Sequence, residues 1–400
     1  MASARDLLLG PWRALPVLGA TQILAWGALF YPPVLIVPLI AAERGWSMSF
    51  TMGGFSAALL AGGAVAPTVG KMIDRHGGHV VMTAGSLAGA AGLLALTLAP
   101  GKVTYIAAWM LVGAAMAASL YDPAFATLGR IFGAAARRPI TLLTFVGGFA
   151  STVSWPATHL LLGTLGWRGV YLVYALLLAL VAAPLHAFAL PRQRADLVMP
   201  DRATLKRDGP PLPARGWPFV LVMAGFAAYA FIPSGLSAHL LAIFGRAGLD
   251  PTTVVLVGAL FGPCQVLARL CEFVFAGRAH PIHLARFALG LVVCAFALMA
   301  VAGISAPSAA LFYIMFGAAN GLVTIARGTV PLALFGPSGF GVLVGRLAGP
   351  WLTMQAAAPL VLAVIAERVS DAAALAVAAL LALIALGCFV LLRRPRVGAG

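Results

Sequence analysis

Twelve apolar segments, each long enough to cross a lipid bilayer, restrict the folds open to this chain. A membrane-spanning helix needs about 20 apolar residues. Lipid offers no hydrogen bonds to the backbone, so such segments are predicted to be helices. Hydrophobic residues make up 62% of the 400 residues and charged residues only 9%, whereas a soluble domain is far more polar. The predicted spans are 15–41, 47–69, 80–99, 103–131, 140–164, 169–190, 217–245, 252–275, 282–304, 309–330, 341–366 and 372–392.

Basic residues are distributed unevenly between the two ends of these spans. If both termini face the cytoplasm, most of the 26 Lys and Arg residues lie on that side, as the positive-inside rule requires. We therefore expect a multi-pass protein of a bacterial inner membrane, in contact with bilayer lipid and with no nucleic-acid partner. The basic residues on the opposite side are Arg44, Lys102, Arg168, Arg246 and Arg368.

A proline-rich, charged stretch at residues 191–216 divides the spans into two groups of six. Such a composition forms no stable core and is typical of a solvated linker. The predicted domains are an N-terminal six-helix bundle at 1–190, a cytoplasmic linker at 191–216 and a C-terminal six-helix bundle at 217–400.

The two halves also resemble each other locally. Gly113 opens a Gly-Ala-Ala run in span 4, and Gly317 opens the same run in span 10. Asp122 and Arg327 follow these glycines at nearly the same distance. An acid in one half therefore corresponds to a base in the other.

A short polar turn follows the second span. Gly70, Asp74, Arg75 and Gly77 match the pattern Gly-x-x-x-Asp-Arg-x-Gly. A turn with this pattern at this place resembles the loop between helices 2 and 3 of the major facilitator superfamily of secondary transporters. In that family two basic residues follow, and here Gly78 and His79 replace them.

The resemblance implies an all-α membrane fold of twelve helices in two pseudo-symmetric six-helix bundles, with helices 1, 4, 7 and 10 around a central cavity. It also implies a gating role for the turn. The Asp74 carboxylate is expected to accept hydrogen bonds from the start of helix 11, near Phe340–Leu343, where the helix dipole is positive. This contact would latch one conformational state.

Two charges inside the spans are candidates for the transport site, because a charge at a helix centre costs about 2.5–3.5 kcal/mol on insertion scales. Asp122 lies in span 4 and Arg327 in span 10. They are expected to bind a proton and an anionic substrate respectively. Alternatively, they form a salt bridge that holds the halves in one gating state.

Span 8 carries another candidate pair, Gln265 and Arg269, four residues apart on one helix face. In the monocarboxylate porter branch of the superfamily an Asp precedes an Arg at this spacing, and span 8 resembles that branch with Gln265 in place of the Asp. The resemblance implies that Arg269 binds a carboxylate. Alternatively, Arg269 pairs with Glu272 at the helix end.

Four further residues complete the predicted substrate-binding set. Pro233 and Gly235 are expected to interrupt span 7 near His239, and Pro32 and Pro33 to make span 1 irregular at Tyr31. The four residues are Tyr31, Tyr121, His239 and Asn320.

These features predict a secondary transporter that moves a small organic anion, such as a monocarboxylate, with protons by alternating access. The alternatives are a proton-driven efflux pump for a drug or an arsenical and a non-transporting membrane sensor. We find no phosphate-binding loop, nucleophile–base arrangement or metal-ligand spacing. The sequence therefore predicts neither an enzyme nor a cofactor or metal, and we expect a monomer to be active.

Overall fold

The computed structural model describes residues 10–192, 214–276 and 279–392. Every regular element in these residues is a helix, and ten helices among them are long and apolar enough to span a membrane. One of the ten, Lys102–Ala189, has 88 residues, far more than a single crossing needs. The all-helical membrane fold is confirmed, and the count of twelve spans stays a prediction.

The chain forms two compact units. One comprises Met1–Asp201 with Pro337–Gly349, and the other comprises Arg202–Gly336 with Pro350–Gly400. Most of the predicted linker, 193–213, lies outside the described residues. The three predicted domains therefore stay a prediction.

In its described residues the first unit contains eight α-helices and the beginning of a ninth. Between α1 and α2 lies a wider π segment, Trp26–Phe30, and α8 continues into two further π segments, Leu178–Ala182 and Leu185–Ala189. The helices are α1 (Ala14–Ala25), α2 (Pro33–Arg44), α3 (Met48–His76), α4 (Gly78–Leu98), α5 (Lys102–Ser119), α6 (Tyr121–Phe132), α7 (Arg137–Gly147) and α8 (Ala150–Leu177).

The described part of the second unit contains six more α-helices and most of a seventh. Its helices are α9 (Gly216–Arg246), α10 (Pro251–Ala259), α11 (Phe261–Cys271), α12 (Pro281–Ala302), α13 (Ala306–Phe335), α14 (Phe340–Arg368) and α15 (Asp371–Leu391). The first ten residues of α14 cluster with the first unit and the rest with the second.

The helix α8 is interrupted at Gly166, which has φ +63° and ψ 177°, so Arg168 lies near the start of the second part of α8. An ion pair joins this point to the end of α2 in the first unit. The Arg168 guanidinium donates to both oxygens of the Glu43 carboxylate, at 2.8 and 2.7 Å, and the Trp167 indole N–H donates to the same group at 2.6 Å. Glu43 lies beyond the predicted span 15–41. The hydrogen bonds from Arg168 and then Trp167 lower the pKa of Glu43 to about 2.

The second unit has an equivalent pair with the charges exchanged. Arg246 donates to both oxygens of Asp371, at 2.8 and 2.6 Å, and the partners are 125 residues apart in both units. In each unit a glycine with positive φ, Gly45 or Gly248, follows the first partner two residues later. We call Glu43–Arg168 and Arg246–Asp371 the end pairs.

Candidate functional site

A proline shapes the backbone at Asp122. Pro123 has no N–H, so the carbonyl of Ser119 loses its helical partner, and Leu120 adopts an extended conformation between α5 and α6. The Gln22 amide of α1 donates to the Ser119 carbonyl at 2.7 Å and to the Leu120 carbonyl at 3.3 Å. The predicted continuous helix over 103–131 is therefore wrong, and the break puts Asp122 in the first turn of α6.

Aromatic rings surround this break. The Trp26 ring lies 5.1 Å from that of Tyr121 and 6.0 Å from that of Tyr31, and the Trp26 indole N–H donates to the Gln22 side-chain oxygen at 3.1 Å. Tyr121 also stacks on Phe125 at 5.3 Å. The predicted residues Tyr31 and Tyr121 therefore belong to one aromatic cluster beside the turn of Asp122.

The π segment of the first span explains the position of Tyr31. The Tyr31 N–H bonds to the Trp26 carbonyl, one residue further back than in an α-helix, which leaves the Gly27 carbonyl without its usual partner. The Ser154 hydroxyl of α8 donates to that carbonyl at 2.9 Å. The irregularity expected at Tyr31 is present, and its cause includes this shift as well as the two prolines.

Asp122 is half-buried and lines a small cleft of the first unit. The other lining residues are small or apolar and come from α3, α5, α6 and the start of α14, among them Gly70, Ala126 and Gly345. The break between α5 and α6 therefore places a carboxyl group at a cleft whose other lining residues are small or apolar.

The residues predicted to form a polar turn are mostly helical, because α3 continues to His76, and the end of α3 binds the start of α14 within the same unit. The Asp74 carboxylate accepts hydrogen bonds from the backbone N–H groups of Gly341, at 2.9 Å, and Val342, at 2.8 Å. The hydrogen bonds expected from the sequence are present, and the gating role of the turn stays a prediction. Arg130 of α6 donates to the backbone carbonyls of Ile73 and Asp74.

Glycines explain the rest of the turn. Gly77 has φ +89°, a conformation that favours glycine, and a Cβ on Gly78 would lie 1.9 Å from the Thr127 hydroxyl oxygen. The basic residue that the family has after Gly77 therefore has no room here. Arg75 is exposed.

Close packing holds α14 against α3. A Cβ on Gly70 would lie 2.0 Å from the Gly341 carbonyl oxygen, and a Cβ on Gly345 would lie 2.4 Å from the Ala66 carbonyl oxygen. Side chains are excluded from this crossing, since backbone atoms already occupy the space. We call Gly70, Gly341 and Gly345 the glycine crossing.

The second unit contains a cationic and aromatic cluster. The Arg327 guanidinium lies over the Trp351 ring, 4.2 Å from its centroid, and the Tyr229 ring is 6.1 Å from that of Trp351. The Tyr229 hydroxyl donates to the side-chain oxygen of Asn320 at 2.9 Å. The predicted residues Arg327 and Asn320 are thus joined through two aromatic residues.

Arg269 and Gln265 of α11 lie next to this cluster in space, beside α13. Arg269 is only 3% exposed; its guanidinium donates to the Gln265 side-chain oxygen at 3.0 Å and to the carbonyl of Gly321, the residue after Asn320, at 3.4 Å. The four-residue spacing therefore brings the two side chains together, as predicted.

His239 bonds to a different part of the second unit. Its Nε2 is 2.8 Å from the Pro359 carbonyl oxygen. The break expected near Pro233 is wrong, because α9 continues through this residue. Instead Pro359 deprives the Gln355 carbonyl of its helical partner, and the Ser234 hydroxyl donates to that carbonyl at 2.7 Å.

Several residues of these clusters were missing from the predicted site. Gln22, Trp26, Tyr229 and Trp351 belong to apolar spans and carry no charge. For Gln22 the available signal was the carbonyl four residues before Pro123, which needs a donor from another helix; the sequence carries no comparable signal for the three aromatic residues. Among the described residues no group of His, Cys, Asp and Glu is arranged to hold a metal ion.

The sequence over residues 18–348 matches the family model of the Major Facilitator Superfamily. The chain belongs to this superfamily. It is therefore a multi-pass membrane transporter, in agreement with the motif at the end of α3. No curated protein matches its sequence significantly.

Solved structures of this superfamily share the fold. The human organic anion transporter MFSD10 (TETRAN) has a TM-score of 0.72 at 18% identity, covering 95% of this chain and 99% of its own. The proton:xylose symporter XylE bound to 6-bromo-6-deoxy-D-glucose has a TM-score of 0.71 at 12% identity, and the match covers 95% of each chain. The E. coli fucose:proton symporter FucP has a TM-score of 0.67 at 13% identity, and the match covers 96% of this chain and 98% of FucP. At these low identities the structural similarity establishes only the fold.

Proposed function

We propose that this facilitator moves a small organic anion, with a monocarboxylate as the best candidate, together with protons by alternating access. The observation that carries the proposal is the Arg327 guanidinium held over Trp351 within the hydrophobic part of the chain. An arginine is charged at every physiological pH and binds carboxylates with two parallel hydrogen bonds. Arg269 and Gln265 would extend this binding region.

Asp122 is the proposed proton carrier. It lies at a helix break in a cleft of small, apolar residues, where gain and loss of a proton would change the balance between conformations. The solved neighbours include two proton symporters and an organic anion transporter, which supports this combination.

The Asp74 contact with the start of α14 is the proposed latch. Breaking its two hydrogen bonds would release the end of a helix whose dipole favours the carboxylate. Proteins that switch conformation depend on such discrete, breakable contacts. We further propose that the protein acts as a monomer in a bacterial inner membrane, with both termini in the cytoplasm.

Transport into proteoliposomes under an imposed pH gradient tests the proposal. Wild-type protein is expected to accumulate a carboxylate with an inward proton gradient, and Arg327→Ala to lower uptake by at least about tenfold. Asp122→Asn is expected to keep carboxylate exchange and to lose proton-driven accumulation. The matched controls Arg368→Ala and Glu367→Gln change exposed residues at the end of α14 and are expected to transport normally.

One observation favours a second candidate, the export of an organic cation. Trp26, Tyr31 and Tyr121 form an aromatic cluster beside the first turn of α6, which carries Asp122, and aromatic faces with an acid suit a quaternary ammonium group. In that case Asp122→Asn would abolish transport of the cation altogether, and Arg327→Ala would leave its binding intact. Proton-driven movement of a cation in the outward direction would replace the anion proposal.

A further inference from the structure

Two aromatic residues of the second unit contact the residues proposed to bind the anion. Trp351 lies beneath the Arg327 guanidinium, and Tyr229 joins Trp351 to Asn320. We propose that Trp351 and Tyr229 position the donors of Arg327 and Asn320, so that this cluster binds a carboxylate attached to an apolar body. This inference rests on the proposed function and names its substrate class more narrowly.

Trp351 restricts the orientation of Arg327. The guanidinium carbon is 4.2 Å from the centroid of the indole ring, well inside the distance at which a cation is attracted to an aromatic face. The N–H groups of a guanidinium lie in its plane and point outward from its edge. A guanidinium fixed on an aromatic face therefore offers its edge to a carboxylate in a defined direction.

Tyr229 determines which end of Asn320 faces a ligand. Its hydroxyl donates to the side-chain oxygen of Asn320 at 2.9 Å, and this bond uses the acceptor end of the amide. The amide NH₂, which carries two donors, remains directed away from the hydroxyl. Tyr229 is only 1% exposed, so packing fixes this arrangement.

The donors of this cluster are combined with aromatic surface. Arg327 and Asn320 supply N–H groups, and the half-buried Trp351 ring supplies apolar area next to them; the buried Tyr229 ring packs against Trp351. A carboxylate with an apolar body gains from both, since burial of apolar area is favourable. A small hydrophilic anion such as phosphate or acetate would lose hydration and gain no contact with the rings.

Equilibrium binding to the purified full-length protein tests this inference separately from transport. The probes are benzoate, acetate and inorganic phosphate, measured by calorimetric titration in detergent. We expect benzoate to bind at least about tenfold more tightly than acetate, with phosphate weaker still. If benzoate binds and no proton gradient drives its uptake, the proposed coupling fails and this inference stands.

Variants of the two aromatic residues separate positioning from folding. Trp351→Leu is expected to weaken benzoate binding by about tenfold and Trp351→Phe by less, because a phenyl ring keeps a weaker cation–π contact. Tyr229→Phe keeps the ring and is expected to weaken binding by about threefold to tenfold through loss of the hydroxyl. In reconstituted protein the half-saturating concentration should rise while the maximal rate changes little.

Trp217→Leu is the matched control, because Trp217 is 67% exposed at the start of α9. It should bind benzoate like the wild type. Failure of the wild-type protein to bind benzoate, or equal binding of benzoate and acetate, would overturn the inference. Unchanged benzoate binding in Trp351→Leu would also overturn the inference. So would equally weak benzoate binding in Trp351→Leu and Trp351→Phe.

Discussion

Single polar side chains bind two of the backbone carbonyls that prolines leave without a helical partner. Gln22 binds the carbonyl that Pro123 leaves unpaired, and Ser234 binds the carbonyl that Pro359 leaves unpaired. A free carbonyl in a water-poor interior costs free energy comparable to a lost hydrogen bond. These two side chains therefore stabilise irregular helices that would otherwise be too costly in a membrane.

Gln22→Met tests this function at the residue scale. The substitution keeps the length of the side chain and removes the donor to Ser119, so we expect a loss of about 1–3 kcal/mol in the free energy of unfolding. The thermal midpoint in detergent measures it. Gln355→Met is the control, because Ser234 binds the backbone carbonyl of Gln355 and that bond does not depend on the Gln355 side chain. This variant should lose clearly less free energy of unfolding. Equal losses in the two variants would contradict the assignment.

Sequence alone found the charged residues of the candidate clusters and missed their neutral partners. Asp122 and Arg327 stand out because an ionised group in an apolar span is costly. Gln22, Tyr229 and Trp351 have no such signal, since their importance depends on which helices cross beside them. Pro123 and Pro359 mark the carbonyls that need donors, but they do not identify the donor.

At the scale of helices, α3 and α14 meet without intervening side chains. The glycine crossing lets the backbones touch, and the Asp74 carboxylate closes one end of it by binding the start of α14. Close backbone approach allows helices to pack tightly in lipid, where apolar burial alone gives little drive for association. Any larger side chain at this crossing must push the two helices apart.

Gly345→Ala is expected to destabilise the protein by about 1–3 kcal/mol, the usual cost of overpacking. The new Cβ would lie 2.4 Å from the Ala66 carbonyl oxygen, and a backbone atom cannot move aside as a flexible side chain can. Thermal unfolding in detergent measures the effect. Gly290→Ala on α12 is the control, because nothing lies within 4 Å of its added Cβ; its midpoint should be unchanged or higher. A Gly345→Ala protein as stable as the wild type would show that the crossing is looser than described.

The polar turn was predictable to the level of single hydrogen bonds, whereas the break in span 4 was not. Asp74 lies in a motif whose resemblance implies its partner, and Gly341 and Val342 are within the range expected. The extended residue Leu120 lies in a run of apolar residues whose hydropathy is that of a continuous helix. Hydropathy is insensitive to one missing N–H, so it merged α5 and α6.

At the scale of the whole molecule, the two units repeat one structural device. Each end pair joins two helix ends across 125 residues of chain, and in each unit the next helix begins with a capping side chain, Ser47 or Asp250. Sequence comparison of the halves detected the glycine runs at Gly113 and Gly317 and overlooked this stronger correspondence. Because the acid and the base are exchanged between the two pairs, a comparison of residue types does not show the correspondence.

Stability should respond to pH through Glu43 only in acid. Its pKa is lowered in the folded protein to about 2, so its contribution is present above the unfolded value of 4.5 and is lost as the pH falls toward 2. Both partners are partly exposed, 43% and 42%, so Glu43→Gln should cost no more than about 1 kcal/mol near neutral pH.

The difference in thermal midpoint between wild type and Glu43→Gln should therefore be constant from about pH 5 to 8 and shrink below about pH 4.5. Exchange of the charges in Glu43→Arg with Arg168→Glu, which copies the polarity of the second unit, should recover part of the loss. A difference that varies between pH 5 and 8 would mean that Glu43 titrates there and competes with Asp122 as a proton carrier.

The exchanged polarity of the end pairs bears on the history of the chain. If the halves descend from one duplicated ancestor, as repeats in this class of transporter suggest, one copy reversed its pair by changing both residues. Each intermediate left a single charge unmatched at a hydrated helix end, where the penalty is small. Evolution could therefore keep the attraction between the two helix ends while replacing both residues that first formed the pair.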